Sequence, residues 1–371
     1  MRKWEDILTI VSGKNQKNVE TDNGQYPIYG SGGIIGRANT FLCEAGTTIV
    51  GRKGTINSPI YVNERFWNVD TAFGIVPGPE LLPKFLYYFC RHFNFKDLDK
   101  STTIPSLAKR DLLAIKMVVP SLPEQERIVA RIEELFSELD KAVETLNTTK
   151  QQLAVYRQAV ITTSFPELTS SNSVRLDEIA EISGGITKGR DLSQQKTITL
   201  PYLRVANVQN GYLDLSQMKD IEVKLNEVDK YLLQEGDVLY TEGGDRDKLG
   251  RGTVWKNEIP RCVHQNHVFK ARLNQERALP QYVAYWSMSV YARDYFFKKG
   301  KQSVNLASIN KTVLSALILP MPSLEEQASI INNIESRLSV CDQIEKTIEQ
   351  SLQQAEALRQ SILKQAFEGR L

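Results

Sequence analysis

The acidic residues around Glu222 are the first candidates for chemistry in this sequence. Glu222-Val223-Lys224, taken with Asp214 or Asp220, has the outline of a nuclease metal site. In such a site, carboxylates hold a cation that stabilises the charge developing on a phosphate. The Glu-x-Lys pattern is so common, however, that we do not predict nuclease activity from it.

A second group of candidates combines cysteine and histidine. Cys262, His264 and His267 offer three metal ligands within six residues. No fourth ligand is nearby, and tetrahedral zinc sites usually draw their ligands from two separate segments. We therefore favour a strand or loop of a binding surface over a metal site.

Cofactor-binding motifs are incomplete or missing. Residues 30–36 nearly match the dinucleotide-binding pattern, but Ile35 stands where the third glycine belongs. The sequence contains no G-x-x-x-x-G-K-[ST] loop for ATP, and no N-P-P-[FY] tetrapeptide of the kind that amino-methyltransferases use. We therefore predict no catalytic residues, cofactor or metal in this chain.

Glycine-rich loops with basic and amide side chains are the remaining candidates. Cations hold DNA phosphates, whereas guanidinium and amide groups recognise base edges, and an adjacent glycine lets the backbone approach closely. We predict DNA contacts in the first half of the chain from Arg37, Arg52, Lys53, Thr55, Lys100, Ser101, Thr102 and Thr103. In the second half we predict them from Lys188, Arg190, Arg204, Asn207, Gly243, Gly244, Arg246, Lys248, Arg251, His264, Gln265, Asn266, His267, Lys301, Gln302, Ser303 and Asn305. Any single one of them is equally well explained as a solvated surface residue, so the prediction applies to the set.

An internal repeat organises the elements that would position these loops. Residues 120–125, P-S-L-P-E-Q, recur at 322–327 as P-S-L-E-E-Q. The match continues without a gap, and about sixteen of forty-six aligned positions are identical. A fainter likeness extends upstream, between residues 103–107 and 305–309. A gapless duplication indicates that both copies have the same role.

Both copies of the repeat predict long helices. Proline precedes each start, glutamate follows in the first turn, and about forty residues then lack proline and glycine. The first copy has a heptad pattern in Ile128, Ile132, Leu135, Leu139, Ala142, Leu146, Thr149, Leu153, Tyr156 and Val160. The second has a looser one in Ile334, Leu338, Cys341, Ile344, Ile348, Leu352, Ala355, Leu358 and Ile362. A helix about 60 Å long cannot bury such a stripe in a small domain, so we expect the two copies to pack together.

A β-rich segment precedes each helix. Short strands are predicted at 30–36, 46–54, 201–208, 236–240 and 253–255, with aromatic-rich helices at 85–93 and 282–297. By count, the net charge is +4 for residues 1–119 and +3 for 166–319, against −2 for 120–165 and −3 for 320–371. The alternation weakly supports basic domains that face a polyanion.

The length and composition indicate a two-domain soluble protein. The 371 residues suffice for two domains that each bury a core. The sequence has neither an apolar signal segment nor an apolar run near the roughly 18 residues that cross a bilayer. The four cysteines lack paired spacing, which fits free thiols in a reducing cytoplasm.

The whole chain resembles the specificity subunits of type I restriction-modification enzymes. The resemblance depends on the order of domain, P-S-L-x-E-Q helix, domain and P-S-L-x-E-Q helix, and on motifs at 51–54, 67–73, 204–208 and 363–371. It implies an α+β fold in which two long antiparallel helices, a coiled-coil spacer, separate two β-rich α/β target recognition domains with pseudo-two-fold symmetry. The domains would be residues 1–119 and 166–319, and the spacer helices 120–165 and 320–371. We also expect the C-terminal tail to lie beside Met1.

The resemblance implies a DNA-binding subunit without catalytic activity. It would recognise a bipartite target with a fixed spacer and recruit two methyltransferase subunits, which use S-adenosylmethionine. It would also recruit two restriction subunits, which use ATP and magnesium, in the cytoplasm. Two alternatives stay open: a coiled-coil scaffold with globular protein-binding heads, and a self-sufficient nuclease or methyltransferase.

Overall fold

The computed structural model describes residues 1–244, 249–302 and 307–371, with the backbone alone at Gln302. The chain forms two compact units. The first unit comprises Met1–Thr148 and Ile348–Leu371, and the second comprises Thr149–Thr347. Two long helices, α4 (Leu122–Thr163) and α9 (Leu324–Phe367), contribute residues to both units. No described helix is both long and apolar enough to cross a membrane.

The first unit is built on two small sheets. Its strands are β1 (Arg2–Lys3), β2 (Leu8–Ser12), β3 (Tyr26–Gly30), β4 (Gly33–Ala38), β5 (Thr47–Gly51), β6 (Ile60–Val62), β7 (Trp67–Asn68), β8 (Ala72–Pro77) and β9 (Lys116–Met117). Its shorter helices are α1 (Trp4–Ile7), α2 (Pro83–His92) and α3 (Lys109–Leu113). One antiparallel sheet has the order β2-β8-β5-β6, and the other has the order β4-β3-β7 with β3 and β7 parallel. Strands β1 and β9 form a separate pair.

The second unit repeats this topology. Its strands are β10 (Ser173–Arg175), β11 (Ala180–Gly184), β12 (Thr197–Leu203), β13 (Lys219–Lys224), β14 (Val238–Thr241), β15 (Gly243–Gly244), β16 (Gly252–Val254), β17 (Val263–His264), β18 (Val268–Leu273), β19 (Lys301–Gln302), β20 (Ala307–Ser308) and β21 (Ile318–Pro320). Its shorter helices are α5 (Val228–Tyr231), α6 (Pro280–Met288), α7 (Val290–Lys299) and α8 (Lys311–Ser315). The order β11-β18-β14-β16 matches β2-β8-β5-β6, and β13-β12-β17, with β12 and β17 parallel, matches β4-β3-β7.

Aromatic residues pack in the core of each unit. In the first unit Trp4 and Phe85 are almost fully buried, and the Trp4 ring lies 6.2 Å from that of Phe89. In the second, Phe165 packs edge-on against Tyr282 and Trp286, with both ring centroids at 5.2 Å. The predicted single helix at 282–297 is two helices, because Ser289 leaves the helical conformation and its side chain caps α7.

A buried glutamine explains the P-S-L-x-E-Q motif. Gln125 is completely buried, and its side-chain oxygen accepts from the Leu82 amide, which precedes α2, at 2.9 Å. Its amide nitrogen donates to the carbonyls of Glu80 at 2.8 Å and Pro120 at 2.9 Å. A buried amide with three partners fixes the start of α4 against the start of α2.

The second copy of the motif makes the same contacts. Gln327 accepts from Leu279, which precedes α6, and donates to the carbonyls of Arg277 and Pro322 at 3.0 and 2.9 Å. The repeat therefore duplicates a joint between each long helix and its neighbouring domain.

Within each unit the two long helices run in opposite directions, as predicted. In the first unit Arg127 donates to the Leu371 carbonyl, whereas Asp140 pairs with Arg359 further back along α9. In the second, Arg157 pairs with Asp342 at 2.7 Å and with Glu345 at 3.0 Å. Asp140 and Arg157 of α4 are the repeat counterparts of Asp342 and Arg359 of α9. The two helices thus exchange partners in the way that a duplicated pair requires.

The predicted apolar stripes need a correction at four positions. Ala142, Tyr156, Ile344 and Leu358 are exposed. Because an α-helix has 3.6 rather than 3.5 residues per turn, the inward face drifts along a straight helix. The aliphatic stems of half-buried Arg157 and Arg359 occupy the inward positions next to Tyr156 and Leu358.

The C-terminal tail belongs to the unit that contains Met1. Phe367 packs against Phe85 and Phe89, with ring centroids 5.2 and 5.5 Å away. It also stacks on His92 at 5.5 Å. The end of α9 is therefore part of the first unit's core, and its aromatic contacts there are with α2.

Candidate nucleic-acid interface

Two loops of the first unit are joined by backbone hydrogen bonds. The Gly54 amide donates to the Pro105 carbonyl, and the Leu107 amide donates to the Arg52 carbonyl, each at 2.9 Å. Gly54 has a φ of 81°, a conformation that glycine adopts without strain. The structure thus joins the predicted residues 52–55 to the segment that directly follows the predicted residues 100–103.

The side chains of this loop pair line an open cleft of about 550 Å³. Arg52 is half-buried over the Phe73 ring, 5.8 Å from its centroid, and reaches the Asp70 carbonyl at 3.4 Å. Lys100 pairs with Asp111 at 2.8 Å, yet 74% of its side chain stays exposed. This hydrogen bond from Lys100 lowers the pKa of Asp111. Lys53 and Thr55 are exposed beside the cleft.

Asp99 orders the second loop of the pair. Its Oδ1 accepts from the Ser101 hydroxyl at 2.7 Å and from the Ser106 amide at 3.0 Å. The hydrogen bond from the Ser101 side chain is the main cause of its lowered pKa. Thr102 and Thr103 lie exposed between these anchored positions.

The second unit joins its corresponding loops in the same way. The Ile309 amide donates to the Glu242 carbonyl at 2.8 Å. Strand β20 pairs with β15, so that Gly243 and Gly244 lie opposite Ser308 and Ala307. Ile309 is the repeat counterpart of Leu107, which confirms the faint upstream likeness in three dimensions. Lys301 is exposed on β19, which pairs with the other side of β20.

Arg52 and Glu242 occupy equivalent positions in the two units. The carbonyl of Arg52 accepts from the Leu107 amide, and the carbonyl of Glu242 accepts from the Ile309 amide. The Arg52 amide donates to the Thr71 carbonyl at 2.8 Å and the Glu242 amide to the His267 carbonyl at 2.9 Å. Thr71 and His267 directly precede the equivalent strands β8 and β18. The Glu242 carboxylate also contacts the His267 ring at 2.6 Å. One unit therefore presents a guanidinium, a hydrogen-bond donor, where the other presents a carboxylate, an acceptor.

The loop at 187–190 lies apart from this pair and lines a cleft of about 440 Å³. Lys188 is exposed, with its ammonium 5.1 Å from the centre of the Tyr202 ring. Arg190 is half-buried and pairs with Glu227 at 2.7 Å. This hydrogen bond lowers the pKa of Glu227. Asp220 and Glu222 line the same cleft, so its charge is mixed.

Two residues that were predicted to contact DNA are buried inside the second unit. His264 is fully buried, and its Nδ1 lies 2.7 Å from the Val268 carbonyl. Asn207 is 2% exposed, and its side chain joins the Arg204 amide to the Asp214 carbonyl at 3.0 and 2.8 Å. Neither side chain is available to a ligand in this structure, so we leave both out of the interface.

Three predicted arginines donate to their own unit. Arg37 donates to the carbonyls of Gly24 and Gln25 at 2.6 and 2.9 Å. Arg204 donates to the Gln217 carbonyl at 2.5 Å, and Arg251 to the Gln209 side chain at 3.1 Å. These bonds brace loops. A role in DNA binding would have to use the remaining guanidinium donors.

The remaining predicted residues of the second unit are half-buried, exposed or outside the described residues. Gln265 and Asn266 are half-buried after β17, whereas His267 is exposed. Arg246, Lys248, Ser303 and Asn305 lie outside the described residues, as does the side chain of Gln302.

The structure separates the residues that resembled metal sites. Cys262 is buried, and burial raises the pKa of its thiol to about 12. His264 is buried, whereas His267 is exposed. Asp214 binds the Ser216 hydroxyl at 2.6 Å, away from the cleft of Asp220 and Glu222. Within the described ranges, no three His, Cys, Asp or Glu side chains are grouped to hold a metal ion.

The turn between β3 and β4 also belongs to the first unit's loop surface, and sequence reasoning missed it. A methyl group added at Gly51 would lie 3.1 Å from the Ser31 Cβ, and one at Gly32 would lie 3.9 Å from the Thr55 Oγ1. The turn is therefore in contact with the loop that carries Arg52 and Thr55. The adjacent isoleucines Ile34 and Ile35 were the available signal, but their glycine-rich surroundings suggested a failed cofactor motif instead.

Comparisons with known proteins agree with this architecture. The family model for the type I restriction modification DNA specificity domain matches residues 1–153 and 170–354. The type I restriction enzyme EcoKI specificity subunit of Escherichia coli (strain K12) is 25% identical over 342 residues, which cover 86% of this chain and 73% of that protein. The StySPI specificity subunit of Salmonella potsdam is 25% identical over 324 residues, which cover 81% and 69%.

Solved structures show the same fold. A chain from a study of complex assembly and conformational transition of the type I R-M system has a TM-score of 0.74 at 17% identity, and the match covers 100% of this chain and 97% of that one. The HsdS subunit from Thermoanaerobacter tengcongensis has a TM-score of 0.58 at 16% identity, with coverage of 100% and 96%. Because the family model matches both β-rich segments and most of both long helices, the chain belongs to the type I restriction-modification DNA specificity family.

Proposed function

We propose that this chain is the DNA-binding specificity subunit of a type I restriction-modification complex, and that each unit recognises one half of a bipartite target. The observation that carries the proposal is the loop pair that both units build with the same backbone hydrogen bond, from Leu107 to Arg52 and from Ile309 to Glu242. Each pair collects polar groups of the kinds that contact DNA: cations and hydroxyls bind phosphates, and guanidinium and carboxylate groups recognise base edges.

The two halves of the target should differ in sequence. Arginine donates to the acceptors of guanine, whereas glutamate accepts from the amino group of cytosine. Arg52 and Glu242 occupy equivalent places, so identical half-sites would require opposite side chains to make the same base contact. The units therefore suit an asymmetric target.

We further propose that the chain has no catalytic activity of its own and recruits its partners through the long helices. Its relatives are named specificity subunits of restriction enzymes. The partners would be two methyltransferase subunits, which bind S-adenosylmethionine, and two restriction subunits, which use ATP and magnesium. Gln151, Gln152, Gln353 and Gln354 are exposed on the helices and available to such partners. The four free cysteines are buried, which suits work in the cytoplasm.

Single substitutions in the two loop pairs test the assignment. The full chain, assembled with its methyltransferase, would bind duplexes that carry the target found by methylome sequencing. We expect Arg52→Ala to weaken binding by about 1–3 kcal/mol and to relax specificity in one half-site only. Glu242→Gln should alter preference in the other half-site only. Lys53→Ala should weaken binding to all sequences and reduce the salt dependence by about one phosphate contact.

Lys17→Ala is the matched control, because Lys17 is an exposed lysine of the first unit outside these loops. If the three loop variants bind like wild type, the loops are not the interface. If the wild-type assembly shows no sequence preference but its heads capture protein partners, the scaffold alternative replaces the proposal.

A further inference from the structure

The tip of the β3–β4 hairpin exposes two consecutive isoleucines. Ile34 is 61% exposed and Ile35 is 54% exposed. In a regular strand, neighbouring side chains point to opposite faces, so one of two adjacent isoleucines would face the sheet's packed side. Both are exposed here because the strand pairing is irregular at this point.

A β-bulge causes this irregularity. Tyr29 pairs with Ile34, but the preceding residue, Ile28, pairs with Gly36, so Ile35 is an extra residue on β4. Bulges redirect side chains and are frequent next to functional sites. Two large aliphatic groups left in water forgo the stability that their burial would give.

The hairpin tip adjoins the loop pair that we propose to contact DNA. Its turn residue Ser31 contacts the loop of residues 51–55, with the Ser31 Oγ 3.8 Å from a methyl group built on Gly54. That loop is bonded in turn to residues 105–107, and the neighbouring Ile104 is 62% exposed. The three exposed isoleucines therefore belong to two segments that both contact the loop of Lys53, which borders the open cleft.

The surroundings favour DNA over a protein as the occupant of this surface. Lys53, Thr55 and Lys100 are exposed around it, and these are groups that contact phosphates. The carboxylate of Asp111 in this cleft is engaged by Lys100, and that of Asp99 by Ser101. An aliphatic group set among cations and hydroxyls matches one feature of the major groove, the C5-methyl group of thymine.

We propose that Ile34 and Ile35 form an apolar base-recognition element that contacts thymine methyl groups in the half-site of the first unit. The inference rests on the proposed function and adds a specificity determinant to it. The second unit exposes Tyr212, at 61%, in the connection between β12 and β13, the counterpart of this hairpin.

Replacing thymine by uracil, which lacks only the C5-methyl group, tests the contact directly. The full chain with its methyltransferase would be titrated with target duplexes that carry uracil at one thymine position at a time. We expect wild type to bind about fourfold more weakly at one or two positions of one half-site, the loss for one methyl group left in water. Ile34→Ala and Ile35→Ala should bind the thymine duplex more weakly by a similar factor and should no longer distinguish uracil from thymine.

Val118→Ala is the matched control, because Val118 is 51% exposed in the same unit but lies outside these loops. It should keep the wild-type response to uracil. The proposal is overturned if uracil has no effect on wild type, or if the two alanine variants keep the full uracil effect. It is also overturned if the variants weaken binding to non-specific DNA by the same factor. A further contrary outcome would use 2-aminopurine, a base whose fluorescence rises when it is unstacked. If the variants lower this fluorescence while uracil has no effect, the isoleucines insert between bases instead of contacting methyl groups. If wild type itself binds without sequence preference, the proposed function fails instead.

Discussion

At the scale of single residues, the repeat places different side chains in equivalent interior sites. His264 pairs on the sheet with Leu203, just as Asn68 pairs with Tyr29 in the first unit. Both side chains are fully buried, and both contact a carbonyl four residues ahead: Ala72 at 3.1 Å for Asn68, and Val268 at 2.7 Å for His264. The second unit therefore has a titratable imidazole at a buried position where the first unit has an uncharged amide.

This difference predicts that the second unit is destabilised by acid. Burial lowers the pKa of His264 from 6.5 to about 4. Between these values the unfolded chain binds a proton that the folded chain excludes, so the free energy of unfolding falls as pH drops from about 6.5 to about 4 and then levels off. The expected loss is about 3 kcal/mol.

His264→Asn, which installs the residue of the first unit, should remove this dependence between pH 4 and 6.5. Urea denaturation at several pH values would measure it. Gln265→Asn, a change at the adjacent half-buried position that carries no titratable group, should leave the wild-type dependence intact. An unchanged slope in His264→Asn would show that other groups cause the acid sensitivity.

Residue identity alone could not separate His264 from His267 or Asn207 from Asn266. All four are polar residues in glycine-rich or strand-flanking segments, which is the composition of a binding loop. Burial decided between them, and burial depends on strands β12 and β17 meeting across a long stretch of sequence. The loops themselves could be picked out from the sequence, because glycines beside cations report local backbone requirements, and their contact with DNA stays a prediction.

At the scale of elements, the long helices were predictable from the gapless repeat, the absence of helix breakers and the apolar periodicity. Their starts at Leu122 and Leu324 follow the predicted positions closely. The inward roles of Arg157 and Arg359 were not predictable, because an arginine beside an apolar Tyr156 or Leu358 looks like the solvated neighbour. The ion pairs with the opposite helix orient each arginine inward, and the neighbouring Tyr156 or Leu358 is left exposed.

These ion pairs predict an energetic coupling between the helices. Arg157→Glu would face Asp342 and Glu345, and we expect it to lower the stability of the second unit by about 1–2 kcal/mol through repulsion. Adding Asp342→Arg to the same chain should recover at least half of the loss. Urea denaturation followed by tryptophan fluorescence would measure both, with Lys346→Glu, a change at an exposed position of α9, as the control. Additive effects of Arg157→Glu and Asp342→Arg would contradict a direct pairing.

At the scale of the whole molecule, each long helix runs without a break from one unit's residues into the other's. Each also starts at a buried glutamine that joins it to a domain, Gln125 in the first unit and Gln327 in the second. A continuous helix with fixed ends has a length set by its residue count. We therefore extend the proposed function to the spacer of the DNA target, whose length the helix pair would determine.

Removing one heptad from each helix tests this relation. Deleting residues 143–149 and 349–355 leaves the Asp140–Arg359 and Arg157–Glu345 pairs in place and keeps the same helix faces inward. Seven residues of helix are about 10.5 Å long, and base pairs are about 3.4 Å apart, so the preferred spacer should shorten by about three base pairs. Three base pairs also turn the duplex by roughly a third of a revolution, so we expect weaker binding to the new target than wild type shows to its own.

Methylome sequencing would show both half-sites unchanged around a shorter gap. Deletion from α4 alone is the control, because it removes the matched partners of α9 and should abolish methylation at any spacing. Altered half-sites, or an unchanged gap in the double deletion, would mean that something other than the helix pair measures the distance.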